Sequence, residues 1–354
     1  MSGITILATG AGAPGAASIF KAFRLGAREE GRKLRIVACD TDNDAYGFHL
    51  ADAQYTIPAG KSPVFIDSIK EICRRESPDI MFSWVDPELY ALAKNKGQVE
   101  VLGPKIVISN TEAVEICLDK GRLYEYASGL NIVPEHRLAR THADFEEAAQ
   151  ALGYPDRPVC FKPLEGHGGR GFGLLDSKLD SSTVFFAEKA ANVFTSIEDM
   201  KPIFRGAQTP NLMVMEYLPG KEYTVDMLLK NGEPVVTIPR ERARISLGIS
   251  NIAKLERNGE IIKASEQLAR KLGLDYNVNM QFRTDSEGKP KLIEVQPRLA
   301  GTTAASVGAG ANLPWMAAKL ALGEDVEKPK INWNTMMKRF WEEVYTDGAR
   351  DWRL

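Results

Sequence analysis

The chain has 354 residues, of which 44% are hydrophobic, enough for roughly two to three domains of ~150 residues each with a sizeable buried core. Lys+Arg of 45 against Asp+Glu of 47 leaves a formal charge of −2, so no bulk attraction toward nucleic acid or an anionic membrane is implied, and neither is expected as a partner. The N-terminus lacks a basic leader and no apolar run approaches ~18 residues; with Cys39, Cys73, Cys117 and Cys160 in apolar runs without metal or redox spacing, a cytoplasmic protein with buried thiols is expected.

In chain order, short β-branched runs alternate with amphipathic segments up to about residue 112. The order is strand Ile4–Ala8, helix Ala16–Glu30, strand Leu34–Cys39, helix Phe65–Arg75 and strand Asp79–Trp84. That alternation predicts βαβ units around a parallel sheet. A helix over Thr111–Ala127 and a link at Ile132-Val-Pro134 lead into a second unit. From Pro158 the sheet is predicted to be antiparallel, because Lys221–Lys230 and Glu233–Arg240 are joined by the hairpin signal Asn231-Gly232. Leu174–Pro210 is polar and irregular, with a helix near Phe185–Asn192. A helix over Ile261–Leu272, strands Val278–Arg283 and Lys291–Val295, and a helix Leu313–Leu322 complete the third unit. Beyond it, Trp333, Phe340, Trp341 and Trp352 are expected to dock the tail. The boundaries read as 1–112, 113–218, 219–325 and a tail 326–354.

Four constellations carry chemistry. In Gly10-Ala-Gly12-Ala-Pro-Gly15, glycines open a helix whose N-terminus favours an anion, and Asp40 at the next strand end completes a loose dinucleotide fingerprint. Gly12 and Gly15 are therefore candidate ligand contacts, with a purely structural turn as the alternative. Phe161-Lys162-Pro163 leads into Glu165-Gly-His-Gly168-Gly169-Arg-Gly171, a lysine feeding a glycine loop whose N–H groups can fold over phosphates. In Met213-Val-Met-Glu216-Tyr-Leu218-Pro-Gly-Lys-Glu222, a strand break can present backbone to an adenine edge and Glu222 can accept from ribose hydroxyls, although in isolation the segment reads as an ordinary strand pair with solvated acids. Finally, period-two geometry places Glu294, Gln296 and Arg298 of Leu292-Ile-Glu-Val-Gln-Pro-Arg298 on one strand face, near Gln281 of Asn279-Met-Gln281. Oxygen ligands beside a cation suit a hard divalent ion bridging phosphates.

Taken in order, Asp119-Lys120, Phe161-Lys162-Pro163, the glycine loop, Glu216-Tyr-Leu218, Glu222 and Glu294-Val-Gln296-Pro-Arg298 resemble the ATP-grasp superfamily. Over about residues 1–325, the chain looks like small proteins that resemble the synthetase unit of carbamoyl-phosphate synthase. The fold this resemblance implies is mixed α/β and α+β, with an N-terminal Rossmann-like pre-ATP-grasp domain before a two-lobed ATP-grasp fold. It implies ATP and Mg²⁺ as cofactors, Mn²⁺ being an alternative ion. Lys120, Lys162 and the loop with Gly168, Gly169 and Gly171 would hold phosphates. Glu216 and the Leu218 backbone would meet adenine, and Glu222 the ribose. Gln281, Glu294 and Gln296 fall at metal-ligand positions and Arg298 at that of a catalytic arginine. Only one of the three ligands is charged, whereas the family usually has Asn in place of Gln296 and commonly a carboxylate in place of Gln281.

The implied reaction transfers the γ-phosphoryl of ATP to a carboxylate and lets an amine attack the acylphosphate, on an amino acid or similar small metabolite. Arg240 or Arg242 of the basic run Arg240–Arg244 is a candidate grip for a substrate carboxylate, against a solvated charged loop. Carbamoyl-phosphate-type chemistry on bicarbonate is disfavoured by the single synthetase unit and the lack of an evident amidotransferase. A nicotinamide oxidoreductase using the N-terminal glycines, and a nucleotide-binding regulatory module without turnover, are the competing readings. A homodimer stays open.

Overall fold

In the computed structural model, Ile4–Thr9 (β1), Leu34–Asp40 (β2), Ala53–Thr56 (β3), Ile80–Ser83 (β4) and Lys105–Ile106 (β5) form a parallel sheet in the order β3-β2-β1-β4-β5. The described residues are all except 1–2, 165–170, 181, 183–192, 207–210, 247, 341, 348–350 and 353–354. β4 is buried throughout and β1 at all but one position, which is why they read as continuous apolar runs: a parallel sheet is covered on both faces. Helix Ala16–Glu29 contributes Ile19, Phe20, Phe23 and Ala27 to that cover, at the spacing of one helical stripe.

The chain forms two units: Met1–Cys117 with Glu222–Gln281 and Glu294–Leu354, and Leu118–Lys221 with Phe282–Ile293. Besides the parallel sheet, the first unit holds the core of a second one. That sheet has six strands in the order β15-β14-β11-β12-β13-β16, built from Glu222–Lys230 (β11), Glu233–Ser246 (β12), Ile249–Leu255 (β13), Tyr276–Thr284 (β14), Pro290–Gln296 (β15) and Met336–Lys338 (β16). Asn231 and Gly232 have φ of 54° and 82°, the left-handed pair that a two-residue hairpin requires. β12 continues through Ser246, so Arg240–Arg244 lie on a strand and the charged-loop alternative falls away.

The second unit is a five-stranded sheet, β6-β10-β7-β8-β9, of His136–Ala139 (β6), Val159–Pro163 (β7), Gly173–Leu175 (β8), Val193–Phe194 (β9) and Leu212–Glu216 (β10). Helix His142–Ala151 covers it through Phe145, Ala148 and Ala149, which pack with Phe161, Leu175 and Val214. A capping box between Thr141 and Asp144 starts that helix.

Two expectations change. The single helix Thr111–Ala127 is two, Thr111–Leu118 and Lys120–Ala127, because Asp119 is extended and its carboxylate accepts from the N–H groups of Gly121 and Arg122. Capping a new helix satisfies donors that an interior Asp would leave to water. The helix near Phe185–Asn192 lies outside the described residues. In the tail, Trp333 and Met337 pack on the core, whereas Phe340 is 83% and Trp352 42% exposed and Trp341 lies outside the described residues. All four cysteines are free and buried, and burial pushes the Cys73 and Cys160 thiols up to about 11. No helix among the described residues is long and apolar enough to cross a membrane.

Candidate active site

In the first unit, β11, β12, β14 and β15 bring the predicted polar positions onto one connected network. Glu294 is its hub: Oε1 accepts from Gln281 Nε2 at 2.6 Å and from Gln296 Nε2 at 2.9 Å. Gln281 Oε1 in turn accepts from Arg242 Nη1 at 3.0 Å, and the same nitrogen donates to Glu222. Arg242 also donates to the Gly248 carbonyl and the Ser250 hydroxyl. Burial pushes its guanidinium below the usual arginine range, and the neighbouring Glu222 opposes that shift.

This network fixes which oxygens remain for a cation. The amide of Gln281 is locked, because reversing it would turn oxygen toward Glu294 and N–H toward Arg242. Its oxygen is already taken by a guanidinium, which corrects its reading as a free metal ligand. Glu294 Oε2 and Gln296 Oε1 accept no hydrogen bond within the described residues. They fit one hard divalent ion whose remaining ligands are phosphate oxygens or water. No cluster of three or more His, Cys, Asp or Glu side chains able to hold a metal occurs among the described residues.

Arg298, two residues past the end of β15, is forked by Asp86: Nε donates to Oδ1 at 2.7 Å and Nη2 to Oδ2 at 3.4 Å, while Nη1 donates to the Leu299 carbonyl at 3.0 Å. Asp86 was not singled out by the sequence. Its only local signal is the helix start Val85-Asp-Pro-Glu88 at the end of β4.

Arg240 corrects the proposed grip on a substrate. It is 1% exposed and closes on Asp226 through Nε at 2.8 Å and Nη2 at 3.4 Å. Asp226 also accepts from Asn279 Nδ2 and the Ser306 hydroxyl. A buried charge is stable only when paired in this way, so Arg240 is not reachable by a solute. Arg242, on the same strand face, is the member of the run joined to Glu222 and Gln281.

The glycine turn is filled by the chain itself. Asp40 Oδ2 accepts from Gly12 N–H at 2.7 Å and Oδ1 from Asp42 N–H at 3.0 Å, so the carboxylate already braces the turn. Gly15 has φ 100°, and a Cβ on it would lie 2.4 Å from the Gly301 carbonyl oxygen. The turn thus admits the close approach of segment 299–301. Gly12 N–H is engaged by Asp40 and Gly15 faces Gly301, which supports the structural-turn alternative for these two glycines.

Beside that turn, Glu88 is a buried carboxyl that accepts from the hydroxyls of Thr9 and Ser83. Burial raises its pKa to about 7 against the lowering effect of those two bonds. The folded chain therefore holds a proton on Glu88 that the unfolded chain releases near 4.5, so this group's contribution to stability declines as pH rises from about 4.5 through 7. Replacing Glu88 by Gln should abolish that slope: in thermal melts from pH 5 to pH 8 the variant gains on the wild type as pH rises. A constant difference would contradict the assignment.

In the second unit, Lys162 lies with Nζ 5.3 Å from the centre of the Tyr124 ring, donating to the Ile293 carbonyl at 3.0 Å and the Tyr124 hydroxyl at 3.3 Å. Tyr124 anchors to the Leu292 carbonyl and was missed in the sequence, where it reads as one more apolar helix position. Lys120 Nζ donates to the Leu164 carbonyl, at the start of the glycine segment. Of that loop only Gly171 is described; Gly168 and Gly169 lie outside the described residues. Glu216 accepts from Glu135 N–H at 3.0 Å, and Leu218 is buried. Arg283 stacks on Tyr217 and donates to Gly220, fixing the strand break.

Residues 208–342 match the family described as ATP-grasp in the biosynthetic pathway with Ter operon, and residues 6–107 match the PylC-like N-terminal domain. The carbamoyl phosphate synthase large chain of Thermoplasma acidophilum is 25% identical over 320 residues, which cover 86% of this chain and 29% of that protein. The chain thus spans less than a third of that relative. Among solved structures, an ADP complex of N5-carboxyaminoimidazole ribonucleotide synthetase superposes with a TM-score of 0.67 at 16% identity, covering 94% of this chain and 80% of that one. An L-amino acid ligase from Bacillus licheniformis gives 0.62 at 15% identity, covering 93% and 75%.

Proposed function

We propose, from the match of residues 208–342 to an ATP-grasp family and of residues 6–107 to the PylC-like N-terminal domain, that the chain is an ATP- and Mg²⁺-dependent ligase that activates a carboxylate as an acylphosphate and couples it to an amine. The observation that carries this reading is the strand end on which Glu294 Oε2 and Gln296 Oε1 remain available to a cation while Arg298 stands two residues on. A divalent ion held there would neutralise charge on the phosphates of ATP and draw electrons from the γ-phosphorus.

The carboxylate oxygen of the acid attacks the γ-phosphorus and ADP leaves, giving R–CO–OPO₃²⁻. The amine then adds to the carbonyl carbon, loses a proton, and phosphate departs. Arg298 stabilises negative charge on the transferring phosphoryl group and on the tetrahedral adduct. Lys120 and Lys162 hold phosphate oxygens, Glu216 and the Leu218 backbone meet adenine, and Glu222 accepts from the ribose on the oxygen not engaged by Arg242. Gln281 acts by orienting Glu294. The acid is an amino acid or a similarly small metabolite, a reading supported by the likeness to an L-amino acid ligase.

An ADP-release screen over carboxylic acids, with hydroxylamine as a common nucleophile, tests the proposal. Its success is a hydroxamate formed in step with ADP for one class of acid. Release of AMP and pyrophosphate contradicts the acylphosphate route, and an absence of any nucleotide turnover favours a regulatory module.

A further inference from the structure

We propose that Asp86, at the end of a strand of the N-terminal parallel sheet, is the positioning residue for Arg298, which makes that domain a working part of the phosphoryl-transfer centre. The inference rests on the catalytic role assigned to Arg298 above.

The two residues are 212 positions apart, yet Asp86 is the one carboxylate that engages this guanidinium among the described residues. Both side chains are largely withdrawn from water, at 14% and 8% exposure. A guanidinium carries five N–H donors in a rigid plane. Asp86 takes the Nε edge and one N–H of Nη2, and the Leu299 carbonyl takes one N–H of Nη1. One donor therefore remains on each terminal nitrogen, and the plane in which both lie is set by the Asp86 fork. Charge developing on a transferring phosphoryl group is stabilised most by donors already aimed at it.

The mount of Asp86 is built to hold still. It opens helix Asp86–Lys94 directly after an extended Val85, with Pro87 in the first turn. Trp84 Nε1 donates to the Gly10 carbonyl at 2.7 Å, and Val85 N–H faces the Ser83 hydroxyl. Glu88, one residue past Pro87, ties that turn to β1 and β4 through Thr9 and Ser83. A Cβ on Gly10 would lie 2.5 Å from Val85, so the glycine turn is what lets this corner sit against β1. On the other side of Arg298, the Gly301 carbonyl accepts from Arg339 Nη2 at 2.6 Å and abuts Gly15. The N-terminal glycines thus serve to fix both the fork and the segment that follows the arginine.

The test is a double-substitution cycle read by steady-state kinetics on the full chain with ATP and the acid found to be turned over. Asp86→Asn keeps the shape and loses the charge; it is expected to lower kcat by about 10–100-fold, the usual cost of removing an orienting partner, while KM for ATP stays within about twofold. Asp86→Glu, which restores the charge on a longer arm, recovers part of the rate. In an Arg298→Ala background, Asp86→Asn costs nothing further, because its effect runs through the arginine. Wild-type kcat in Asp86→Asn beside an inactive Arg298→Ala overturns the positioning role alone, as does a loss that multiplies in full with that of Arg298→Ala. Full turnover by Arg298→Ala instead overturns the catalytic reading on which the inference rests. Should Asp86→Asn fold poorly in thermal melts, Asp86→Glu and the double variant, which leaves neither charge unpaired, carry the comparison.

Discussion

Replacing Arg298 by alanine lowers ADP formation by about a thousandfold, in the range seen when an arginine that stabilises a phosphoryl-transfer transition state is removed, and leaves nucleotide affinity nearly unchanged. The split follows from where the side chain points. Its fork is committed to Asp86 and to the neighbouring carbonyl, and in the proposed reaction its remaining donors would meet charge that develops only during transfer. Loss of the arginine also removes the positive charge beside Asp86, a carboxylate 8% exposed, a change that costs about 3 kcal/mol in comparable buried pairs. The kinetic comparison therefore belongs at a temperature where melts show the variant folded. Equilibrium binding of an ATP analogue that falls together with turnover would place the arginine in ground-state binding instead.

Glu294→Gln is the second large effect. The substitution conserves volume and an acceptor oxygen for the two amides, so the network with Gln281 and Gln296 keeps its shape. What is lost is the single negative charge of the two candidate metal ligands, since Gln296 is neutral. Charge neutralisation by a bound divalent ion is worth several kcal/mol to a phosphoryl transfer, so turnover falls by about a hundredfold, and the Mg²⁺ concentration at half-maximal rate rises. Titrating Mg²⁺ at fixed ATP reads this directly. An unchanged Mg²⁺ requirement would move the ion away from this strand.

Period-two alternation was enough to put Glu294 and Gln296 on one face, because strand geometry is local, whereas Arg298 lies two residues past the end of β15, where its N–H donates to the Gln296 carbonyl. The parallel sheet was equally legible from its apolar runs, and the hairpin from Asn231-Gly232. Asp86 was not legible as a partner of Arg298, because a contact across 212 residues depends on topology and no local pattern encodes it. Arg240 fails for a subtler reason. Continuing the Lys230↔Glu233 pairing without interruption would set Asp226 opposite Thr237 and put Arg240 on the other face. The irregularity between Leu228 and Leu229 shifts the register by one, pairs Asp226 with Ile238 and brings Arg240 to its side. A bulge of that kind reverses which residues share a face. Asp119 was read through as a helical position because its neighbours keep the helical pattern, and only the cap geometry shows the break. The N-terminal glycines left an anion site and a structural turn both open, because a tight turn for a ligand and a tight turn for a neighbouring chain segment have the same composition; the carbonyl of Gly301 against Gly15 supports the structural turn.

The central claim is that a carboxylate of the substrate takes the γ-phosphoryl group of ATP. Supplying the acid with both carboxylate oxygens as ¹⁸O, with ATP and the amine, and examining the released phosphate by mass spectrometry or ³¹P NMR tests it most directly. The acylphosphate route predicts one ¹⁸O in each phosphate formed, carried over when the C–O bond breaks on the carbonyl side. Unlabelled phosphate from a reaction that still yields the coupled product, or label found in AMP, would contradict it.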